Sequence, residues 1–242
     1  MGLTFFMSFK KLCRNTVIAV YLLILVGGVV RSSGSGMGCP DWPKCFGQWV
    51  PPTSIEQLPE NYKEISLAHR EKKNARFVKY LNALGFEETA VKIMEDPNVK
   101  VEEDFNAVKT WIEYLNRIVG VVIGFLIFAV FVSSLKFWKT NKSKTLIAFL
   151  AFLLVGFEGW IGSVVVSTNL TPWVITVHMF LALVIVALLI YLVHVSEGAQ
   201  KVYSPMIVWL SMASMGVVLL QILLGTQVRE AIDAVANSIP RN

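Results

Sequence analysis

Charged side chains are scarce in this sequence, and they occur in clusters. Asp, Glu, Lys and Arg make up 16% of the 242 residues, whereas 55% are hydrophobic. Soluble domains carry about 25% charged residues, so the composition excludes a typical soluble protein and indicates a polytopic membrane protein. The net charge of +5 is not arranged in an arginine-rich stripe or beside a stacking platform, and we therefore expect no nucleic-acid partner.

Cysteine is also scarce, with three residues in the whole chain. Cys13 lies at the inner end of the first apolar run, where we expect an inert thiol. Cys39 and Cys45 follow that run, on the side of the membrane where disulfides persist. Two cysteines without nearby partners make a poor metal site, so we favour a disulfide. Their spacing leaves open whether it is structural or redox-active.

Five apolar runs are each about long enough to cross a bilayer. We predict an all-α fold: a polytopic membrane protein with a four-helix transmembrane bundle, a fifth span and a long outer loop. The bundle occupies residues 1–195 with its outer loop at 31–110, and residues 196–242 supply an inner loop, the fifth span and a short outer tail. The five runs are Thr16–Val30, Ile118–Leu135, Leu146–Val166, Trp173–Val195 and Met206–Gln227.

Lysine and arginine set the orientation, because cytoplasmic loops carry an excess of both. Basic residues lie before the first span, between spans two and three, and between spans four and five. This pattern places the N-terminus inside and the outer loop and the C-terminus outside. The first span is expected to remain uncleaved, since no Ala-x-Ala-like site follows it. The residues concerned are Lys10, Lys11, Arg14, Lys136, Lys139, Lys142, Lys144 and Lys201.

Histidine occurs three times, and His178 lies inside an apolar run. It follows Pro172 by six residues, which puts it about 9 Å below the start of its helix. An ionisable group at that depth is costly without a partner and is therefore a functional-site hypothesis. It is either an axial ligand of a heme iron or a histidine bonded to a neighbouring helix. His194 lies about 24 Å further along the helix and cannot share one iron with His178.

The second and third spans carry polar residues near their outer ends. Glu113, Asn116 and Arg117 share one helix face, where an intrahelical ion pair is the simplest interpretation. Glu158 lies deeper, so we expect it to be protonated, paired or facing a cavity. Its glycine neighbours permit either tight helix contact or the close approach of a flat ligand. Because polar groups converge at this level while the inner halves are apolar, we expect a ligand pocket in the outer half of the bundle.

Four strings together resemble the heme A synthase family: Gly27–Gly47, Glu113–Gly120, Ser167–Met179 and Leu224–Asp233. The resemblance implies eight spans in two similar four-helix bundles, each with a pair of histidines facing a heme site. It also implies oxidation of a methyl group of heme O to the formyl group of heme A, through successive hydroxylations, for cytochrome oxidase. The expected location is a bacterial inner membrane.

Individual residues carry this resemblance. His178 matches the fourth-span ligand of the heme iron, and Glu113 matches the second-span carboxylate associated with catalysis. Cys39 and Cys45 match an outer cysteine pair. Asn116 stands where many members have a histidine, and an amide is a poor iron ligand, so a five-coordinate or water-bound iron is the expectation.

Further contacts to the heme are expected from both halves of the family pattern. Arg31 and Arg229 match the arginines that close the first span of each half, and the short echo between Gly27–Arg31 and Gly225–Arg229 suggests that the fifth span starts a second bundle. The predicted cofactor-binding set is His178, Asn116, Arg117, Arg31, Glu158 and Arg229.

The chain departs from the family by lacking three further spans. It is a fragment, a truncated product or a half-sized protein that pairs with another copy as a homo-oligomer. A heme B is expected only in the missing half. Implied partners are heme O, heme O synthase, cytochrome oxidase assembly factors and an unidentified electron donor. The alternative function is a non-catalytic heme-binding or oxidase-assembly membrane protein, and an electron-transfer cytochrome ranks last because only His178 is available at its level.

Overall fold

The computed structural model describes residues 8–96, 99, 102–197 and 204–238. Over these residues the chain is helical and contains no strand. The helices are α1 (Phe9–Ser32), α2 (Tyr62–Ala83), α3 (Glu87–Glu95), α4 (Ala107–Ser134), α5 (Lys142–Ser167), α6 (Pro172–Glu197) and α7 (Pro205–Ser238). Five of them, α1, α4, α5, α6 and α7, are long and apolar enough to cross a membrane, which confirms the all-α class and the five predicted spans.

Four of the long helices close into a bundle. The helix α1 packs against α4 and α6, and α5 packs against the same two helices on the other side. Short caps start these helices: the Asn106 side chain accepts the backbone N–H of Lys109 at 3.1 Å, and Asn141 accepts that of Lys144 at 3.4 Å. Pro172 opens α6, the position at which a missing N–H costs nothing.

The inner half of the bundle is a dense apolar core. Ile127, Val130, Leu189 and Leu192 are fully buried there. Lipid is as apolar as these side chains, so their contribution is close packing rather than removal from water. The Thr145 hydroxyl donates to the Ser134 carbonyl at 2.8 Å and ties α5 to the end of α4.

The outer loop carries a helical hairpin that covers the ends of α5 and α6. The hairpin turns at Gly85, whose φ of 81° lies between the end of α2 at Ala83 and the start of α3 at Glu87. Phe77 and Leu81 of α2 pack in one cluster with residues of α5 and α6. Leu84 follows Leu81 by three residues but is exposed, because α2 ends at Ala83.

A buried ion pair holds this hairpin to the segment that follows it. The Arg70 side chain is buried, lies 2.9 Å from Glu102 and donates to the Val99 carbonyl at 3.2 Å. Burial lowers the pKa of Arg70 and raises that of Glu102, which records the cost of taking both charges out of water.

The fifth span, α7, packs mainly against α6. Thr176 and Thr226 share a hydrogen bond of 3.1 Å between their hydroxyls, and most described side chains of α7 are exposed. Arg229 lies on this helix, and its side chain is outside the described part of the structure. The predicted division at residue 195 stays a prediction.

We expect Arg70→Met to destabilise the hairpin by about 3–5 kcal/mol, because it leaves the Glu102 carboxylate buried without its partner. The matched control is Lys63→Met. Lys63 pairs with Asp104 at 2.5 Å, but the two side chains are 46% and 87% exposed, so its loss should leave the stability of the hairpin nearly unchanged. Hydrogen exchange of the α2 and α3 amides measures both, and equal protection in the two variants would contradict the prediction.

Candidate functional site

The bundle interior changes at the depth of His178. Each of its four helices has nine consecutive residues of which none is buried, bounded on both sides by buried residues. Nine residues of helix span roughly 13 Å. All of these residues are described, and they are 21–29 on α1, 114–122 on α4, 152–160 on α5 and 176–184 on α6. We call this level the open belt.

The four stretches lie at one level. Their inner boundaries are Val20, Ile123, Ala151 and Ile185, which all belong to one packed cluster. Belt residues such as Leu23, Val119 and Val155 pack against this cluster while staying partly exposed. At the level of the belt, partly exposed side chains thus replace the fully buried core, and we take this level as the candidate ligand site.

Several glycines lie at the level of the belt. A Cβ atom added at Gly27, Gly120, Gly156 or Gly159 would meet nothing within 4 Å outside its own helix. Gly156 and Gly159 have open space beside them, whereas a Cβ at Gly162 would lie 3.4 Å from the His178 ring, so both interpretations of these glycines stay predictions.

His178 and Glu158 meet across the contact between α5 and α6. The His178 Nδ1 and Glu158 Oε1 atoms are 3.1 Å apart. Nδ1 is buried, yet the side chain as a whole is 36% exposed, so its accessible part is the rest of the ring. Gly162, one turn beyond Glu158, lets the imidazole lie against α5, since a Cβ there would be 3.4 Å from its Cε1 atom.

Glu113 lies at the outer edge of the belt and is held on two sides. Its side chain is 4% exposed, its Oε2 atom accepts the Cys39 backbone N–H at 2.9 Å, and its other oxygen pairs with Arg117. Arg117 in turn donates to the carbonyls of Cys39 and Asp41, each at 2.6 Å, and of Lys44 at 3.2 Å. The ion pair predicted from the spacing is therefore present, and it also anchors the loop.

That loop is closed by the disulfide between Cys39 and Cys45, as expected. It sits on the first turns of α4, where the Thr110 hydroxyl donates to the Gly38 carbonyl at 2.8 Å. A Cβ at Gly38 would come within 2.6 Å of the Lys109 backbone, so only glycine permits this approach. The loop and α4 form one rigid unit around Glu113.

Lys73 was not singled out from the sequence, although it shares a face of α2 with Phe77 and Leu81. It lies near Arg117 and Asp41. Burial lowers the pKa of Lys73 to about 8, and the charge of Arg117 adds to this shift while Asp41 opposes it. Lys73 lies four residues before the buried Phe77, and this helical spacing is the feature of the sequence that indicates its position on the packed face of α2.

Four of the predicted site residues form two separate pairs in the structure. His178 and Glu158 form one pair, and Glu113 and Arg117 form another. Arg117 is engaged with the disulfide loop, and Arg31 lies half-buried in the last turn of α1.

The residues of the belt fit a heme, the group that the sequence resemblance implies. His178 offers an imidazole with one nitrogen beside a carboxylate, which is the usual arrangement of a metal-binding histidine. The Asn116 Oδ1 atom is buried and accepts no hydrogen bond from the residues that the structure describes. An unpaired buried oxygen of this kind is costly unless a ligand or water donates to it.

Comparison with known proteins gives one family. The model of the cytochrome oxidase assembly protein family, COX15-CtaA, matches residues 10–84 and 86–241. A heme A synthase of Shewanella oneidensis is 26% identical over 227 residues, covering 90% of this chain and 56% of the relative. One of Shouchella clausii is 23% identical over 202 residues, covering 82% and 50%.

A heme A synthase of Geobacillus thermodenitrificans is 38% identical over a shorter stretch of 64 residues, covering 26% of this chain and 19% of the relative. The chain spans about half the length of the relatives that it matches along most of its own length. No solved structure matches it.

We expect the free energy of unfolding of the α2–α3 hairpin to rise with pH between about 8 and 10, because folding lowers the pKa of Lys73 on α2. In this window the unfolded chain binds more protons than the folded chain, so the free energy of unfolding increases with pH. Lys73→Gln should flatten this rise, whereas Lys72→Gln, at an exposed neighbour, should not. Thermal unfolding in detergent at several pH values measures the slopes, and identical slopes for both variants would refute the assignment.

Proposed function

Because the chain belongs to the cytochrome oxidase assembly protein family COX15-CtaA, we propose that it is a heme A synthase-type oxidoreductase, or the half of one that holds the substrate. Its substrate is heme O, and the product carries a formyl group in place of one methyl group. The observation that carries the proposal is the open belt, with His178 at its wall and the polar residues of α4 and α5 around it.

The residues of the belt have separate tasks in this proposal. His178 would hold the heme iron, and the heme would supply the redox chemistry. Asn116 would donate to or accept from a polar group of the substrate rather than ligate iron, since its Oδ1 atom is buried and unpaired among the described residues. Arg31 and Arg229 would meet the propionate groups, because guanidinium groups bind carboxylates at the outer boundary.

Glu113 is the proposed catalytic carboxylate, and its surroundings limit what it can do. A carboxylate beside Arg117 and a backbone N–H is held in one orientation at the edge of the belt. It would stabilise positive charge or take a proton close to the substrate methyl group. The disulfide loop excludes water from its outer side, which strengthens both effects.

We place the protein in a bacterial inner membrane, with the N-terminus inside and the disulfide loop outside. Heme O synthase and oxidase assembly factors would be its neighbours in the pathway of the heme. Converting a methyl group to a formyl group is a four-electron oxidation, so the reaction takes an external oxidant, together with an electron donor where that oxidant is dioxygen.

A second candidate is a non-catalytic heme-binding or oxidase-assembly protein. One observation favours it: Glu113 is already engaged in anchoring the loop. Product analysis separates the two functions. Formyl-heme formation in a host that makes heme O supports the enzyme, and bound unmodified heme supports the carrier.

We expect the protein purified in detergent to show a heme absorption spectrum that His178→Ala abolishes. The matched control is His194→Ala, which removes an exposed imidazole from the inner end of the same helix and should leave the spectrum unchanged. Absorption spectroscopy and chromatography of extracted heme give the readout. Retention of the full spectrum in His178→Ala would overturn the proposed site.

We expect Glu113→Gln to keep bound heme while formyl-heme production falls by roughly 100-fold or more, as for loss of one electrostatic catalytic group. Gln still accepts the Cys39 N–H, so the loop should stay in place. Thr110→Val is the control, because it loses a loop hydrogen bond without touching the carboxylate. If both variants lose product equally, Glu113 acts only through the loop.

A further inference from the structure

We propose that Glu158 is a positioning residue for His178, which fixes the imidazole through Nδ1 and presents Nε2 to the heme iron. The inference rests on the proposed heme site and deepens it. Glu158 belongs to the predicted cofactor-binding set, and the structure places its Oε1 atom 3.1 Å from the histidine.

The first argument is the geometry of the pair. The Glu158 Oε1 and His178 Nδ1 atoms are 3.1 Å apart, and the Glu158 side chain is 13% exposed. A small rotation of the ring would align the N–H with the carboxylate, since contacts in sites without a ligand are often poorly aligned. Gly162 forms the surface on which the ring rests, with its Cβ position 3.9 Å from Nε2.

The second argument is energetic. Both groups lie inside membrane helices, where an ionisable side chain is costly unless it is paired or faces a cavity. Neither has another hydrogen-bond partner among the described residues, and the second oxygen of Glu158 is buried without one. The Oε1 and Nδ1 atoms are 3.1 Å apart without the alignment of a hydrogen bond, so each group is positioned to satisfy the other once the ring rotates.

The third argument concerns the tautomer. When Nδ1 carries its proton toward a carboxylate, the lone pair that can bind a metal is on Nε2. Because Nδ1 is buried while the side chain is 36% exposed, the free edge of the ring is the part that can reach a ligand. The carboxylate also increases the electron donation of the imidazole, so it stabilises the oxidised iron.

The test compares Glu158→Gln with wild type in the 242-residue chain purified in detergent. We expect Glu158→Gln to weaken heme retention by roughly 10–100-fold and to shift the midpoint potential of the bound heme to a more positive value. The control is Ser163→Ala on the same helix, which loses a hydroxyl that donates to the Trp160 carbonyl. It should leave the potential unchanged.

A rescue experiment gives a readout that a purely structural role would not move. His178→Gly should lose the heme spectrum and regain it when imidazole is added. In the double variant His178→Gly, Glu158→Gln, the imidazole concentration needed for half-rescue should rise by roughly 10-fold or more, because the carboxylate no longer holds the added ring. Size-exclusion chromatography checks that each variant remains folded.

The outcomes separate the inference from the proposed function. If His178→Gly keeps its heme spectrum without imidazole, the heme site itself is wrong. If it loses the spectrum, but Glu158→Gln leaves heme retention, potential and the rescue concentration at their wild-type values, only the positioning role of Glu158 is wrong.

Discussion

Inside a bilayer, a polar side chain has no water to pair with, and this constraint organises the outer half of the bundle. Glu113 finds Arg117 and the backbone of the disulfide loop, and Glu158 finds His178. Each pairing joins two parts of the chain: α4 to the loop after α1, and α5 to α6. The two glutamates therefore help to fix the disulfide loop against α4 and α5 against α6.

The belt lies between two packed regions of the bundle, which fix the helices at both of its ends. The inner core contains Ile127 and Leu189 and clamps all four helices at one end. The helical hairpin packs Phe77 against α5 and α6 at the other end, where Ile161 and Val174 are buried. Between these regions, Gly27, Gly120 and Gly156 have open space beside them. A rigid frame with an open middle is suited to a large flat ligand, since little reorganisation is needed on binding.

Arg117 illustrates how one residue type supports two interpretations. From the sequence, an arginine at the outer end of a span is equally suited to a carboxylate of a ligand and to a neighbouring glutamate. In the structure its guanidinium binds Glu113 and three backbone carbonyls of the disulfide loop. Four of the five N–H donors of the group are used by the protein, so its main contact near the belt is with Glu113.

The sequence by itself determined the five spans, the disulfide and the family, because apolar length, the cysteine pair and contiguous motifs are local properties. It also located His178 and Glu158 at similar depth, since helical rise converts residue number to distance. It did not determine that these two side chains meet, that Gly85 divides the outer helix, or that Gly38 touches α4. Those contacts join residues far apart in the chain, and only the packing of α1, α4, α5 and α6 decides which faces oppose each other.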